Sequence, residues 1–287
     1  MESDENIDNE NRNETVFKRA VVAAAFSPRL SAVLNEACRL LTLMGAVPII
    51  IHVGEDTPLV RSKLEEAIAC SDFKDYPTEY YIRSGNPADV LINAAREFQV
   101  DLIIAGALKK EGLIKYYIGS VARNIARYAP CSVLLMTEPQ VRPQPFYKIH
   151  CAVEYDQEAE FAVKVAVNIS REVNTRDLYF THTFQEPELA EKKVANGTIQ
   201  QIKDIYKRED TRLKKFLARF DFRGMVYSTR CLFERSHSVT LDFTREIGAD
   251  LFIVHGPSNP HSLWERIFPQ HLELALQNLP CSILMTR

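Results

Sequence analysis

The sequence predicts an α/β protein of two tandem doubly wound, Rossmann-like domains. Each would be a five-stranded parallel sheet with helices on both faces, the pair related by a pseudo-two-fold axis. Three observations predict this. Short apolar runs alternate with helical patterns along the chain, as parallel strands joined by right-handed crossovers require. The order then repeats about 150 residues on, a period too long for a solenoid unit and right for a whole domain. The endings match most closely: Ala129-Pro130-Cys131-Ser132-Val133-Leu134 and Leu279-Pro280-Cys281-Ser282-Ile283-Leu284.

In the first half, Arg19 to Ala25 is a continuous apolar run stopped at Ser27-Pro28, as in a strand buried on both faces. Leu30, Val33, Leu34, Ala37, Leu40 and Leu41 recur at helical spacing. Val47 to Val53 is the next buried strand, Pro58 to Cys70 a helix and Glu79 to Ile82 a strand. Asn86-Pro87 opens a further helix, with the asparagine as cap and the proline in the first turn. Asp101 to Ala105, Ser120 to Tyr128 and Cys131 to Met136 complete the half as strand, helix and strand.

Glu138 to Pro145 carries three prolines, which suit an extended linker. The second half repeats the order. Ile149 to Val153, Leu178 to Thr183, Gly224 to Leu232, Ala249 to Gly256 and Cys281 to Met285 read as its strands, with His182 aligned to His52. Ala159 to Val173 and His237 to Ile247 read as helices, and Phe184 to Arg219 as a loop followed by an elongated helix. The expected division is a disordered acidic leader over 1–16, domains over 17–137 and 146–287, and a linker over 138–145.

Composition narrows the function classes. The 287 residues suffice for two cores, and 46% hydrophobic with 25% charged residues is ordinary for a soluble globular protein. A net charge of −3 argues against a dedicated nucleic-acid binder. No apolar run approaches a membrane span, and the acidic, Asn-rich start lacks the features of a signal peptide, so the expected location is the cytoplasm. Cys38, Cys70, Cys131, Cys151, Cys231 and Cys281 form no CxxC pair and read as reduced, mostly buried thiols.

The chemically informative stretch runs from Gly106 to Ser120. It follows a strand and opens a helix, where ligands of doubly wound sheets bind. A small residue at the strand end admits a ligand to the backbone. Gly119-Ser120 at a helix start offers free N–H groups, a positive dipole end and a hydroxyl, the parts that hold phosphates. The same two residues also serve as an ordinary helix cap, and both readings stand at this stage.

The strand order, Asp101-Leu102-Ile103-Ile104-Ala105-Gly106, Asn86-Pro87, and Gly119-Ser120 followed by Ala129-Pro130-Cys131-Ser132-Val133-Leu134 resemble the universal stress protein family. The resemblance covers most of both halves and implies a tandem member with a degenerate second domain. ATP-binding members carry Gly, two residues, Gly, nine residues, then Gly-Ser or Gly-Thr. Gly106 and Gly119-Ser120 match the outer positions, and Lys109 stands at the middle one. The nucleoside-holding Asp at the end of the first strand is replaced by Ala25, two before Ser27. Val53 matches the residue whose backbone meets the adenine. The implied site is therefore Ala25, Ser27, Val53, Gly106, Lys109, Gly119 and Ser120, for ATP or a related adenine nucleotide with or without magnesium. Lys109 either blocks that site or neutralises a phosphate alongside Lys110 and Lys115.

The second half departs further. In sequence, Gly256 aligns with Gly106, Asn259 with the middle position and Pro269-Gln270 with Gly119-Ser120, and a proline there removes an N–H that a phosphate would use. Glu154 takes the place of the nucleoside Asp, as a buried acid, and Asp156 that of Ser27. His255, His261 and His271 lie close in sequence but follow no metal-ligand spacing.

Two functions compete. One is a stress-response regulator with an adenine-nucleotide site in the first domain. The alternative is a ligand-free scaffold in which both sites have decayed. Nothing supplies a convincing catalytic base, nucleophile or metal dyad, so an enzyme would be a weak ATPase at most. The resemblance also implies internal pairing of Cys131–Met136 with Cys281–Met285, each strand covering the other's open edge. A homodimer of chains and an unidentified protein partner are further expectations.

Overall fold

The computed structural model describes residues 16–107, 119–185, 198–233, 238–256, 276 and 279–287. In chain order the first half contains β1 (Arg19–Ala23), α1 (Leu30–Met44), β2 (Val47–Val53), α2 (Pro58–Ala69), β3 (Glu79–Arg83), α3 (Pro87–Glu97), β4 (Leu102–Gly106), α4 (Ser120–Tyr128) and β5 (Ser132–Met136). The second contains β6 (Lys148–Ala152), α5 (Gln157–Glu172), β7 (Asp177–Phe184), α6 (Thr198–Leu217), β8 (Tyr227–Phe233), α7 (Val239–Glu246), β9 (Leu251–His255) and β10 (Ser282–Thr286). Two doubly wound halves are thus present. α6 is the lengthened helix, at 20 residues against 12 for α2.

Local chemistry sets the helix ends. Thr57 and Asn86 cap α2 and α3 through their side chains, each followed by a proline whose missing N–H costs nothing there. α1 stops at Gly45, in the left-handed region at φ 64°. Asp156 caps α5 by accepting from the Ala159 amide at 2.7 Å.

The two five-stranded sheets join into one of ten strands, ordered β3-β2-β1-β4-β5-β10-β9-β6-β7-β8. Neighbours are parallel except at the centre, where β5 and β10 run antiparallel with Leu134 opposite Leu284. The endings that repeat in the sequence therefore form the seam. Its serines repeat as well: Ser282 Oγ accepts from the Thr137 amide at 3.3 Å, and Ser132 Oγ from the Arg287 amide at 3.1 Å. At the opposite strand ends, Asp101 accepts the Lys18 amide and Asp250 the Lys148 amide, both at 2.8 Å, which fixes where β1 and β6 begin.

Strand residues alternate between two apolar layers. Val22, Leu134, Met136 and Leu284 join one, with α1 and α5 side chains. Val21, Val133, Leu135, Ile283 and Met285 join the other, with α3, α4 and α7. Each layer is one cluster crossing the seam, so the halves share a core.

The proline-rich segment between the halves lies against α1. Asn35 donates to the Val141 carbonyl at 2.8 Å and accepts from the Asp72 amide at 3.0 Å. Buried Glu36 pairs with Arg39 at 2.6 Å, and the Arg39 guanidinium lies 5.4 Å from the Phe146 ring. Burial pushes the Glu36 carboxyl above its ordinary range, against the lowering effect of Arg39.

Candidate functional site

The carboxyl ends of β1, β2 and β4 carry the first-half site residues to one edge of the sheet. Val53 closes β2 and Gly106 closes β4, while Ala25 and Ser27 follow β1. β1 lies between β2 and β4, so the chain reverses its winding there, and Gly119-Ser120 enters α4 on the same edge. Ala25, Ser27 and Ser120 are exposed, and Val53, Gly106 and Gly119 are half-buried. Lys109, Lys110 and Lys115 lie outside the described residues, as do the 1–15 part of the leader, Asn259, His261, Pro269, Gln270 and His271.

Each described position has a local role. Ser27 shapes the turn into α1: its Oγ accepts from the Arg29 amide at 3.3 Å, and its carbonyl from the Leu30 amide at 3.1 Å. Gly119 caps α4 with no side-chain cap bond, and Ser120 is the first helical residue rather than the cap. The leading amides of α4 are therefore left without a side-chain acceptor from the cap, at the positive end of the helix dipole.

Gly106 is small because of α1. A Cβ there would sit 3.0 Å from Val33 Cγ2. Strand register corrects the second-half alignment: Gly106 pairs with Met136 and His255 with Thr286, so His255, not Gly256, occupies the equivalent place. In the frame that matches Arg19 with Lys148, Val33 becomes the buried Ala162, which carries no γ-carbons. Gly106→Ala should cost about 1 kcal/mol by overpacking. Adding Val33→Ala should recover part of that loss in a urea-melt double-mutant cycle. Strict additivity would mean that the two side chains do not meet.

Two groups that the sequence reading missed dominate the edge. The first is Arg29, half-buried, which spans the crevice. Its Nη1 donates to the Ala107 carbonyl at 3.2 Å and its Nη2 to the Thr137 carbonyl. The second is a column of rings. The Phe26 ring lies 4.0 Å from the His52 ring, tilted at 31°, with Lys63 Nζ over the Phe26 ring at 4.5 Å. The second half repeats it: Tyr155 on His182 at 4.0 Å and 31°, with the Arg212 guanidinium at 4.3 Å. His52 and His182 each place Nδ1 2.8 Å from a backbone carbonyl, of Ala24 and Val153. A carbonyl only accepts, so each Nδ1 carries the proton and each ring ties its first strand to its second. The His52–His182 match was the one legible trace of this column. Gly54 makes room for it, since a Cβ there would lie 2.7 Å from His52 Nε2.

The second-half edge is acidic by comparison. Glu154 and Asp156 are exposed, so Glu154 is not the buried acid expected from the sequence. Burial holds the His255 imidazole below its usual pKa, partly opposed by Asp156 and Glu158. Among the described residues no cluster of His, Cys, Asp or Glu could hold a metal, and the six cysteines are unpaired.

A continuous parallel half-sheet with its crevice between β1 and β4, doubled across an antiparallel seam, defines a tandem doubly wound α/β protein. Residues 54–136 match the model of the Universal stress protein family. A universal stress protein of Methanothermobacter thermautotrophicus is 38% identical over 55 residues, 19% of this chain and 37% of its own length. The chain thus spans little more than a third of that relative. Universal stress protein YxiE of Bacillus subtilis is 24% identical over 42% of this chain and 99% of its own. Among solved structures, a Pseudomonas aeruginosa protein of unknown function covers 95% of this chain and 93% of its own (TM-score 0.72, 15% identity). A universal stress protein of Archaeoglobus fulgidus covers 95% and 96% (TM-score 0.61, 13% identity). Residues 54–136 thus match the universal stress protein model, and the fold, present twice, is shared with those solved structures.

Proposed function

We propose that this protein is a cytoplasmic stress-response regulator whose first half, residues 17–137, binds an adenine nucleotide at the strand-end crevice. Ala25, Ser27, Val53, Gly106, Lys109, Gly119 and Ser120 would line the site, with Arg29 added. The observation that carries this reading is the convergence of two anion-favouring groups on one edge. The α4 terminus lacks a side-chain cap, and the half-buried Arg29 guanidinium is fixed across the crevice. Arg29 spends one donor on each carbonyl and keeps others for a phosphate. Magnesium would accompany a triphosphate. The second half, 146–287, reached through the segment 138–145, completes the core, and its acidic edge disfavours phosphates. Pairing of two such chains and an unidentified protein partner belong to the same reading.

A specific observation also favours a ligand-free scaffold. The acid expected to hold the nucleoside is Ala25, and the Arg29 contacts already bridge the crevice within the protein. Thermal melts separate the readings. ATP or AMP at a hundredfold its dissociation constant should raise the midpoint by about 5 °C or more, because ligand linkage adds about 2.7 kcal/mol. Arg29→Ala should remove most of that rise. Flat melts with ATP, AMP and cyclic nucleotides would leave the scaffold.

A further inference from the structure

α4, the helix that starts at the proposed nucleotide crevice, has nine residues and is about 13 Å long. A helix this short is marginal alone and depends on what its ends meet. Neither end closes itself. The cap residue at the start is Gly119, which supplies no side-chain bond. The cap residue at the finish is Ala129, extended at φ −61° and ψ 139°. It therefore lacks the left-handed turn with which helices commonly satisfy their last carbonyls.

The second half supplies that closure. Arg287, just after β10, donates Nη2 to the carbonyls of Ala126 and Arg127, the latter at 3.2 Å, and Nη1 to the carbonyl of Ala129. One helix end thus shares one guanidinium, whose rigid fork of donors fits such a cluster of acceptors. The residue is anchored at its root as well, because its amide donates to Ser132 Oγ at 3.1 Å. Burial lowers its pKa only to about 10, so it stays charged at neutral pH. A cation at the negative end of a helix is favourable. The clamp runs one way. Thr137 holds the matching place in the first half, since its amide bonds Ser282 Oγ as that of Arg287 bonds Ser132 Oγ. A threonine has no guanidinium to return.

We propose that Arg287 is a positioning residue: from the second half it fixes α4, and with it the amide end at Gly119-Ser120 that enters the crevice. The second half thereby supports anion binding in the first without touching the ligand. An anion at the start of α4 and a cation at its finish each favour the same formed helix, so the two are linked. The effect on binding rests on the nucleotide reading of the crevice, whereas the clamp does not.

Amide hydrogen exchange of the full chain, with ATP titrations of the same proteins, tests both parts. Arg287→Met removes the donors and keeps much of the side-chain length, and Arg287→Lys keeps the charge. In the methionine variant, exchange within α4 should rise about tenfold relative to α1, and the dissociation constant for ATP should rise about threefold or more. The lysine variant should recover part of both. The ratio of α4 to α1 separates local release from a general loss of stability. Exchange in α4 that rises no more than in α1 would overturn the proposal, whatever the nucleotide does. Faster α4 exchange with unchanged ATP affinity would overturn the positioning role. A wild-type chain that binds no ATP would sink the nucleotide reading instead, and the exchange ratio alone would then uphold or overturn the clamp.

Discussion

Leu134→Pro is expected to remove most of the protein's stability and to unfold both halves together. Leu134 is 3% exposed on β5, paired in parallel with Ile104 and antiparallel with Leu284. Proline deletes a ladder donor in the middle of a ten-stranded sheet, where no edge is available to accept the change. Together with lost packing, the cost should reach about 4 kcal/mol, against an ordinary total of about 5–15 kcal/mol. The milder Leu284→Ala should cost about 2–5 kcal/mol while the chain still folds. Val226, 86% exposed, is the control whose replacement by alanine should change little. Urea melts followed by circular dichroism read all three. A single transition is expected throughout, because both apolar layers cross the seam. Two separated transitions in Leu284→Ala would show that the halves fold independently.

Acidification is expected to destabilise the second half through His150. This residue is fully buried at the centre of β6, stacked on Phe252 at 4.9 Å. Its Nδ1 and Nε2 each lie 2.8 Å from a threonine hydroxyl, of Thr244 and Thr181. Thr244 Oγ1 already donates to the Thr240 carbonyl, so it accepts from Nδ1–H, and Thr181 donates to Nε2. That arrangement suits a neutral ring. Burial lowers the pKa from 6.5 to about 3. Between those values the unfolded chain binds a proton that the folded chain refuses. Stability is therefore complete above pH 6.5 and falls as the pH drops towards 3, by about 1.4 kcal/mol per pH unit. His182 and His255, also lowered by burial, act in the same direction, whereas the raised Glu36 acts against it. Urea midpoints at pH 7.5, 5.5 and 4.5 should show a loss of about 2–3 kcal/mol by pH 4.5. His150→Leu should flatten most of that slope. An unchanged slope would assign the acid sensitivity elsewhere.

Much of the fold was legible because apolar runs buried on both faces announce a parallel sheet, and because the repeat included the seam strands themselves. Cys131-Ser132 and Cys281-Ser282 looked like core sequence, and the serines prove to be reciprocal contacts across that seam. The candidate site was less legible, for physical reasons. Arg29 lies one residue before the helical pattern opens at Leu30, and nothing local reveals that its guanidinium reaches carbonyls 78 and 108 residues away. The Phe26 and Tyr155 columns join residues from different strands, so only the repeated histidines were visible. The alignment of Gly256 with Gly106 followed glycine identity. Strand pairing places His255 there instead, with the buried Ala162 in place of Val33.

The central proposal is that one fold, repeated, presents an anion-favouring crevice in the first half and not in the second. Amide chemical shifts during an ATP titration test it most directly. The account predicts saturable shifts at Gly106, Gly119 and Ser120 with Gly256 unmoved. Shifts at Gly256 equal to those at Gly119, or no shifts at either, would contradict it.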